Sequence, residues 1–258
     1  IHQSINPSIH QSINPSIQMA TQFAGNAETI EIKLSGRSVR LVLETSGPKD
    51  AERWLLLPAL STVSSRHEWR TFASAIGDRY QLVSFDWPGF GDSDRPSINY
   101  DIETLRATLI AVLDHLNKTH KGTITVVAVG HSASAALSLA DERSEDWNKL
   151  VLVAPTWRGP LPTMTGWTPE QFNWLRQLVS LPVVGPILYR LNTSRVILRL
   201  MLRRHVWVKP EMLSSENIRE QQLLSRKKGA RFASVSFVSG GFDPCLLYTS
   251  DAADDGLS

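Results

Sequence analysis

The sequence is poor in cysteine, in net charge and in long apolar runs. Its 258 residues include one cysteine, Cys245, so no disulfide can form within the chain and a reducing compartment fits best. The net charge of +2 is too small to indicate a nucleic-acid-binding protein. No apolar run approaches the roughly 20 residues of a membrane-spanning helix. With 42% hydrophobic and 20% charged residues, the chain suits one soluble domain with a sizeable core.

Both ends of the chain differ in character from the rest. Residues 1–18 contain the octapeptide IHQSINPS twice, followed by Ile-Gln. A tandem four-base repeat would encode this pattern, so we expect translated untranslated sequence before a true start at Met19. A polar low-complexity tail is the alternative, and it too could build no core. Residues 245–258 resemble the read-through peptides that adapter remnants leave on reading frames derived from transcripts, so we expect a non-native tail there.

Between Met19 and Thr156, short apolar strands alternate with amphipathic helices. Ser65 and Glu68 form a capping box ahead of one helix, and Asp101 caps another. Period-two alternation and short apolar runs predict six strands: Glu28–Leu34, Ser38–Leu43, Trp54–Leu57, Gln81–Phe85, Thr123–Val129 and Leu150–Val153. Strands that alternate with helices predict an α/β core over residues 19–156, with a mostly parallel sheet covered by helices on both faces.

Residues 157–231 break this alternation. Prolines separate short helical pieces rich in leucine, valine and tryptophan, among them Pro160, Pro162, Pro169, Pro182 and Pro186, and the stretch is too long for a loop. We predict a helical cap over the end of the sheet. Its tryptophans either line an apolar substrate pocket or belong to the core: Trp157, Trp167, Trp174 and Trp207. The run Arg195–Arg204 is basic and amphipathic. With Lys209, Arg226, Lys227 and Lys228 it forms a basic region that predicts either weak association with a membrane surface, binding of an anionic substrate, or a solvated face.

The stretch from Thr123 to Ala140 is the strongest candidate for a functional site. An apolar strand breaks at Gly130-His131-Ser132 and restarts as a helix of small residues. A serine on such a strained strand-to-helix turn has its hydroxyl lifted off the end of the sheet. In the G-x-S-x-G form of this turn a second glycine follows two residues after the serine, and here Ser134 has that position. A small residue there still allows close packing of strand and helix. Taken alone, the motif fits an ordinary turn serine equally well.

A second motif supports a functional role for the first. Asp86-x-x-Gly89-x-Gly91-x-Ser93 follows an earlier strand, and one strand–loop–helix unit separates the two motifs. Together they resemble the α/β-hydrolase superfamily, of the AB hydrolase-1 type, over residues 28–156. The phrase LLLPALSTVSSR is similar to a cyanobacterial and plastid-associated branch, which implies a cytoplasmic or plastid protein.

The resemblance implies an α/β-hydrolase fold in which Ser132 is the nucleophile. Backbone N–H groups would stabilise the oxyanion, one from Ala133 after the nucleophile and one from Leu60 in the loop after an early strand. Many members have His-Gly where this chain has Pro58-Ala59. The donors are backbone groups, so side-chain identity there can vary.

The catalytic histidine is the missing part. The family order is serine, acid, histidine, and the only histidine after Ser132 is His205, within the cap region. His131 adjoins the nucleophile on a tight turn that points neighbouring side chains apart. For the acid, residues 232–244 offer two alternatives. In one, Ala233–Val238 is a late strand and Asp243 lies on the turn that presents the carboxylate; in the other, the cap ends there and Asp243 caps a turn.

The sequence therefore predicts a truncated serine hydrolase with little or no triad-dependent activity. The substrate class is a small, apolar molecule with an ester or related acyl bond. We expect no metal or organic cofactor, since no metal-ligand spacing or phosphate-binding glycine motif is present. The rival interpretation is a non-catalytic α/β-hydrolase-like protein that binds a ligand or partner. The oligomeric state has no sequence signal.

Overall fold

A computed structural model describes residues 25–119, 122, 124–194 and 215–244. A single sheet organises this part of the chain, with strand order β1-β2-β4-β3-β5-β6. Its strands are β1 (Asn26–Leu34), β2 (Arg37–Ser46), β3 (Arg53–Leu57), β4 (Gln81–Phe85), β5 (Ile124–Val129) and β6 (Trp147–Val153). All six predicted strands are present, with ends that differ by up to a few residues. Residues 1–18 and 245–258, including Cys245, lie outside the described residues.

The sheet is mostly parallel, as predicted. β1 and β2 form an antiparallel hairpin, and β2 pairs antiparallel with β4. The pairs β3–β4, β3–β5 and β5–β6 are parallel. All five residues of β4 are buried, as are five of the six in β5, which explains their nearly continuous apolar sequences.

Eight α-helices and two 3₁₀ helices lie within the described residues. The 3₁₀ helices are Arg66–Trp69 and Pro169–Phe172. The α-helices of the core region are α1 (Arg70–Ile76), α2 (Ile102–Thr119) and α3 (His131–Leu137). The α-helices that follow β6 are α4 (Pro160–Thr165), α5 (Asn173–Ser180), α6 (Val184–Asn192), α7 (Ser215–Ser225) and α8 (Ala230–Val238).

Two apolar clusters lie on the two faces of the sheet. The larger contains the predicted stripe of α2: Leu105, Leu109, Val112 and Leu116. On the other face, Trp69 and Ala73 pack against Leu56, Leu82 and Val127. The predicted caps are also found, since the Ser65 N–H donates to the Glu68 carboxylate and the Thr104 N–H to Asp101. The helices do not fully cover the edge strand β6, in which Val151 and Val153 are exposed.

Of the two alternatives for residues 232–244, the late strand is wrong, because Ala233–Val238 belongs to α8. Buried Ala230, Ala233 and Ser234 recur at helical spacing, with the small side chains facing inward. A Cβ on Gly89 would overlap the Cβ of Ala233, so helix and loop approach as closely as small residues allow. In residues 157–194 and 215–231, likewise, the structure contains helices and turns but no strand.

The strand order has one topological switch point. From β3 the chain moves to β4 on one side, and then to β5 on the other side of β3. At such a reversal, the connections that leave the carboxyl ends of the two strands run in opposite directions and leave an opening. The loop after β3 begins at Pro58, and the turn after β5 is at Gly130. The switch point therefore brings the two predicted parts of the site together.

Candidate active site

The strand-to-helix turn is centred on Gly130. This residue has φ 58° and ψ −126°, and helix α3 begins at the next residue, His131. Positive φ costs a glycine little, so the sharp turn is made without straining a residue that carries a side chain. Ser132 was predicted from the sequence to lie on the turn itself, and the structure corrects this because the helix starts before it. Ser132 lies within the first turn of α3.

The Ser132 hydroxyl points back toward the sheet. It donates to the carbonyl oxygen of Val129 at 2.7 Å, with the carbonyl oxygen of Leu57 within reach at 3.3 Å. The Val129 N–H in turn donates to it at 3.0 Å. The expectation of a hydroxyl lifted off the sheet is therefore not met, since serines near a helix start often satisfy nearby backbone groups. The side chain is fully buried, between the last residues of β3 and β5.

The two predicted oxyanion donors lie on the elements expected of them. The Ala133 N–H is in the first turn of α3 and donates to the Gly130 carbonyl at 3.2 Å. Leu60 lies after β3, with its side chain in the larger core cluster. Its loop is held by Glu68, whose carboxylate accepts from the Ala59 N–H at 3.0 Å. The Glu68 carboxylate of the capping box therefore also holds the backbone of the loop after β3, at the switch point of the sheet.

Asp243 meets His131 rather than Ser132. The Nε2 of His131 lies 3.6 Å from Oδ1 of Asp243, and both side chains are more than nine-tenths buried. The same Oδ1 accepts the Gly159 N–H at 2.8 Å, and the His131 ring packs edge-on against Phe237. In the described structure, His131 Nε2 and Asp243 Oδ2 have no hydrogen-bond partner. Sequence reasoning placed both residues near the site but missed that they meet, because nothing local links them.

The Asp86 loop is held by its own motif residues. The Asp86 carboxylate accepts the backbone N–H groups of Arg66 and Asp92, each at 2.7 Å. Ser93 Oγ donates to the Asp86 carbonyl at 2.7 Å and accepts the Val42 N–H at 2.9 Å. Gly91 has φ 48°, and a Cβ on it would overlap the Asp86 carboxylate. Aspartate, glycine and serine are thus all required to build this turn.

A buried ionic cluster supports the loop. Arg66 pairs with Glu44, Asp86 and Asp92, and Arg66, Glu44 and Asp86 are almost fully buried. Burial lowers the pKa of Arg66, but the three carboxylates more than offset this and raise it overall. Burial raises the pKa of Asp86, partly countered by Arg66. Lys227 joins the cluster through Asp92, so this residue of the predicted basic region has an internal partner.

The family follows from a comparison with family models. The model of the alpha/beta hydrolase family matches residues 54–255, more than half of the chain. The chain belongs to the alpha/beta hydrolase family.

Three relatives illustrate the similarity of this alpha/beta hydrolase to known proteins. The magnesium-chelatase 30 kDa subunit of Rhodobacter capsulatus is 29% identical over 161 residues, which cover 60% of this chain and 51% of that one. The uncharacterized hydrolase YugF of Bacillus subtilis is 30% identical over 94 residues, 35% of this chain and 33% of that one. The chain thus spans about half and a third of these two relatives. The crystal structure of Cfl2 from Burkholderia cenocepacia has a TM-score of 0.62 and 25% identity, and the match covers 85% of this chain and 72% of Cfl2.

Three of the four tryptophans expected in a pocket or the core of this hydrolase are at its surface. Trp157, Trp167 and Trp174 are all exposed, so the core alternative is wrong for these three. Trp207, His205 and Arg195–Arg204 lie outside the described residues. A cavity of about 300 Å³ lies beside α5 and α8, with Tyr100, Arg176 and Ser236 among its lining residues. Ser132 is not part of that lining.

The described residues, 25–119, 122, 124–194 and 215–244, contain neither a metal-binding cluster nor a helix suited to span a membrane. Among those residues, no cluster of three or more His, Cys, Asp and Glu side chains is arranged to hold a metal ion. Nor does any of the described helices have the length and apolar character required to cross a bilayer.

Proposed function

We propose that this protein hydrolyses an ester or related acyl bond with Ser132 as the nucleophile. One observation carries the proposal: Ser132 lies at the switch point of the sheet, where its hydroxyl joins the ends of β3 and β5. Ligands of open α/β sheets bind at this position because the loops there diverge. The family assignment supports hydrolysis as the reaction.

In the proposed reaction, Ser132 Oγ attacks the carbonyl carbon and its proton passes to a base. The leaving alcohol departs, and water then releases the acyl group from the serine. The oxyanion would be held by the N–H groups of Ala133 and Leu60. For Ala133 this means exchanging the bond to the Gly130 carbonyl, which at 3.2 Å is longer than a typical N–H···O bond.

Turnover by this chain is proposed to be slow because nothing in the described structure activates the serine. A serine hydroxyl is a weak nucleophile until a neighbouring base takes its proton. Here the hydroxyl bonds to backbone groups of Val129 and Leu57, while His131 faces Asp243. Asp243 remains our candidate acid, since its buried carboxylate lies against His131, the residue before the nucleophile, and could orient a histidine.

The substrate is proposed to be a small molecule with an apolar acyl group. The helices after β6 are our candidate cap, and their first turn is tied to the site. The N–H of Gly159, the residue before α4, donates to Asp243, which lies against His131. A cap attached there would cover the carboxyl ends of β3 and β5 and exclude water from the acyl group.

A second candidate is a non-catalytic protein that binds a ligand or partner through the same fold. The satisfied, fully buried hydroxyl of Ser132 favours it, because an idle serine loses nothing by such bonding. The Rhodobacter capsulatus relative is named as a subunit, which fits a role in an assembly.

A covalent probe distinguishes the two candidates. The purified chain would be incubated at length with a fluorophosphonate, digested, and the modified peptide identified by mass spectrometry. The hydrolase proposal predicts an adduct on Ser132 that is lost in Ser132→Ala. Ser134→Ala is the matched control, because Ser134 is also buried in α3 and donates to a backbone carbonyl, that of Thr156. An unmodified chain, or an adduct on another residue, favours the binding protein.

A further inference from the structure

Helix α6 presents its apolar stripe outward. The stripe consists of Val184, Ile187, Leu188 and Leu191, which have the i, i+3, i+4, i+7 spacing of a core-facing helix. These four side chains are nevertheless between 38% and 63% exposed. Single exposed apolar residues are common on protein surfaces, whereas a complete helical stripe marks an interaction site.

The side of α6 opposite the stripe packs against the rest of the protein. Gly185 is buried, and a Cβ there would overlap the Val179 carbonyl oxygen of α5. On the same helix, the Tyr189 hydroxyl lies 3.0 Å from Ser234 Oγ of α8. The small residue and the hydrogen-bonded tyrosine therefore attach α6 to its neighbours, and the stripe is left outside by the way the helix docks.

Two further large apolar side chains are exposed, one just before α6 and one on the neighbouring helix α5. Val183 is the most exposed valine there at 68%, and Trp174 on α5 is 57% exposed. We call these residues the α5–α6 face: Trp174, Val183, Val184, Ile187, Leu188 and Leu191. Tryptophan together with branched aliphatic side chains is the composition found where a protein surface enters the headgroup region of a bilayer.

The charged residues of α5 and α6 have one sign. The whole chain is nearly balanced, with 27 Lys and Arg against 25 Asp and Glu. Residues 171–194, which contain both helices, hold two arginines, Arg176 and Arg190, and no Asp or Glu. Arg190 belongs to α6 itself and is exposed. Positive charge beside an apolar face is complementary to a negatively charged surface.

We propose that the α5–α6 face binds the surface of an anionic lipid bilayer. The helix lies in the plane of the interface, with the stripe among the outer acyl carbons and Arg190 at the phosphates. A second copy of the chain is a poorer occupant, because a two-fold contact through this face would bring like charges together. The proposal does not depend on the chemistry assigned to Ser132.

Vesicle flotation with the 258-residue chain tests this directly. We expect the chain to float with vesicles of phosphatidylcholine and phosphatidylglycerol, and to float poorly with phosphatidylcholine alone. Binding should weaken as salt is raised, because salt screens the attraction between arginine and phosphate. Equal binding to both vesicle types, or binding to neither, overturns the proposal.

Point variants locate the surface. Ile187→Asp and Leu191→Asp should each reduce the partition coefficient at least about tenfold, since each removes a buried aliphatic side chain from the interface. Arg190→Gln should reduce it about fivefold. The matched controls are Leu223→Asp, an exposed leucine on α7, and Arg37→Gln, an exposed arginine at the start of β2, and both should bind as the parent does.

Two results would contradict the assignment of this face. One is an equal loss of vesicle binding in the Leu223 or Arg37 control. The other is a dimer, seen by light scattering without lipid, that Ile187→Asp dissociates while vesicle binding is unchanged; the face would then belong to a second copy. Circular dichroism checks that each variant keeps the helix content of the parent, and the lipid and salt dependence of the unmodified chain tests the proposal without any variant.

Discussion

The Nε2 of His131 lies 3.6 Å from Oδ1 of Asp243, so the residue before the proposed nucleophile faces the proposed acid. This contact joins the start of α3 to the turn after α8, and through the Gly159 N–H to the start of the helical region. Asp243 thus has a structural role beside any catalytic one. The two roles can be separated experimentally.

Replacement of Asp243 should reveal the structural role. Asp243→Ala leaves the buried Gly159 N–H without its acceptor, which should lower the free energy of unfolding by about 1–3 kcal/mol. Asp243→Asn retains an acceptor oxygen of similar shape and should cost less. Urea-induced unfolding of the two variants measures the difference. Equal losses in both would show that the negative charge, and not the hydrogen bond, matters there.

The buried ionic cluster should be worth more than a surface pair. Arg66→Met leaves the carboxylates of Glu44 and Asp86 buried without their cation, at a cost of about 3–5 kcal/mol in unfolding free energy. Arg40→Met breaks an exposed pair with Asp94 and should cost less than about 1 kcal/mol. Urea titrations of both variants provide the comparison. A small effect of Arg66→Met would mean that water reaches the cluster.

Two glycines with positive φ should respond differently to alanine. At Gly91 the new Cβ would overlap the Asp86 carboxylate, whereas at Gly36 no atom lies within 4 Å. We expect Gly36→Ala to cost about 1 kcal/mol from backbone strain alone. Gly91→Ala should cost at least about twice as much, because it also displaces a buried charge. Thermal unfolding of the pair would refute this account if the order were reversed.

Stability should fall on mild acidification because of His67. Its ring nitrogens are buried and have no hydrogen-bond partner in the described structure. Burial, with the nearby Arg66 charge, lowers the pKa of His67 to about 3. The unfolded chain, with a histidine pKa near 6.5, then binds a proton that the folded chain does not, so stability is present above pH 6.5 and is lost as the pH falls from there toward 3.

The size of this effect is about 2 kcal/mol between pH 7.5 and pH 5, from the proton-linkage relation. Urea unfolding at the two pH values, with His67→Gln as the non-titrating variant, isolates it. A difference of the same size in His67→Gln would assign the pH dependence to other groups.

Much of the fold could be predicted because its signals are local. The β4 strand and the α2 stripe were predicted from the order of apolar residues, and the Ser65–Glu68 capping box from two neighbouring positions. The segment Ala233–Val238 misled because its valines and phenylalanine suit a strand. Only the close approach of Ala233 to Gly89 shows why a helix is preferred there.

The site was less predictable because its geometry depends on distant partners. The Asp86 loop was recognisable as a motif, yet the residues that make Asp86 necessary, Arg66 and Glu44, are separated from it in sequence. Ser132 was expected on the turn itself, but Gly130 takes the positive φ and Ser132 moves into the helix. A helix that starts at His131 rather than after Ser132 changes where the hydroxyl points without changing the sequence pattern.

Steady-state hydrolysis of a p-nitrophenyl ester tests the central claim, which is that Ser132 has the position of a nucleophile but no base to activate it. The purified 258-residue chain should turn over at least about 10³-fold more slowly than the roughly 10 s⁻¹ typical of enzymes. Ser134→Ala should match the parent. Turnover at ordinary enzymic rates that disappears in Ser132→Ala and persists in Ser134→Ala would contradict the account, because it would require a base that activates Ser132.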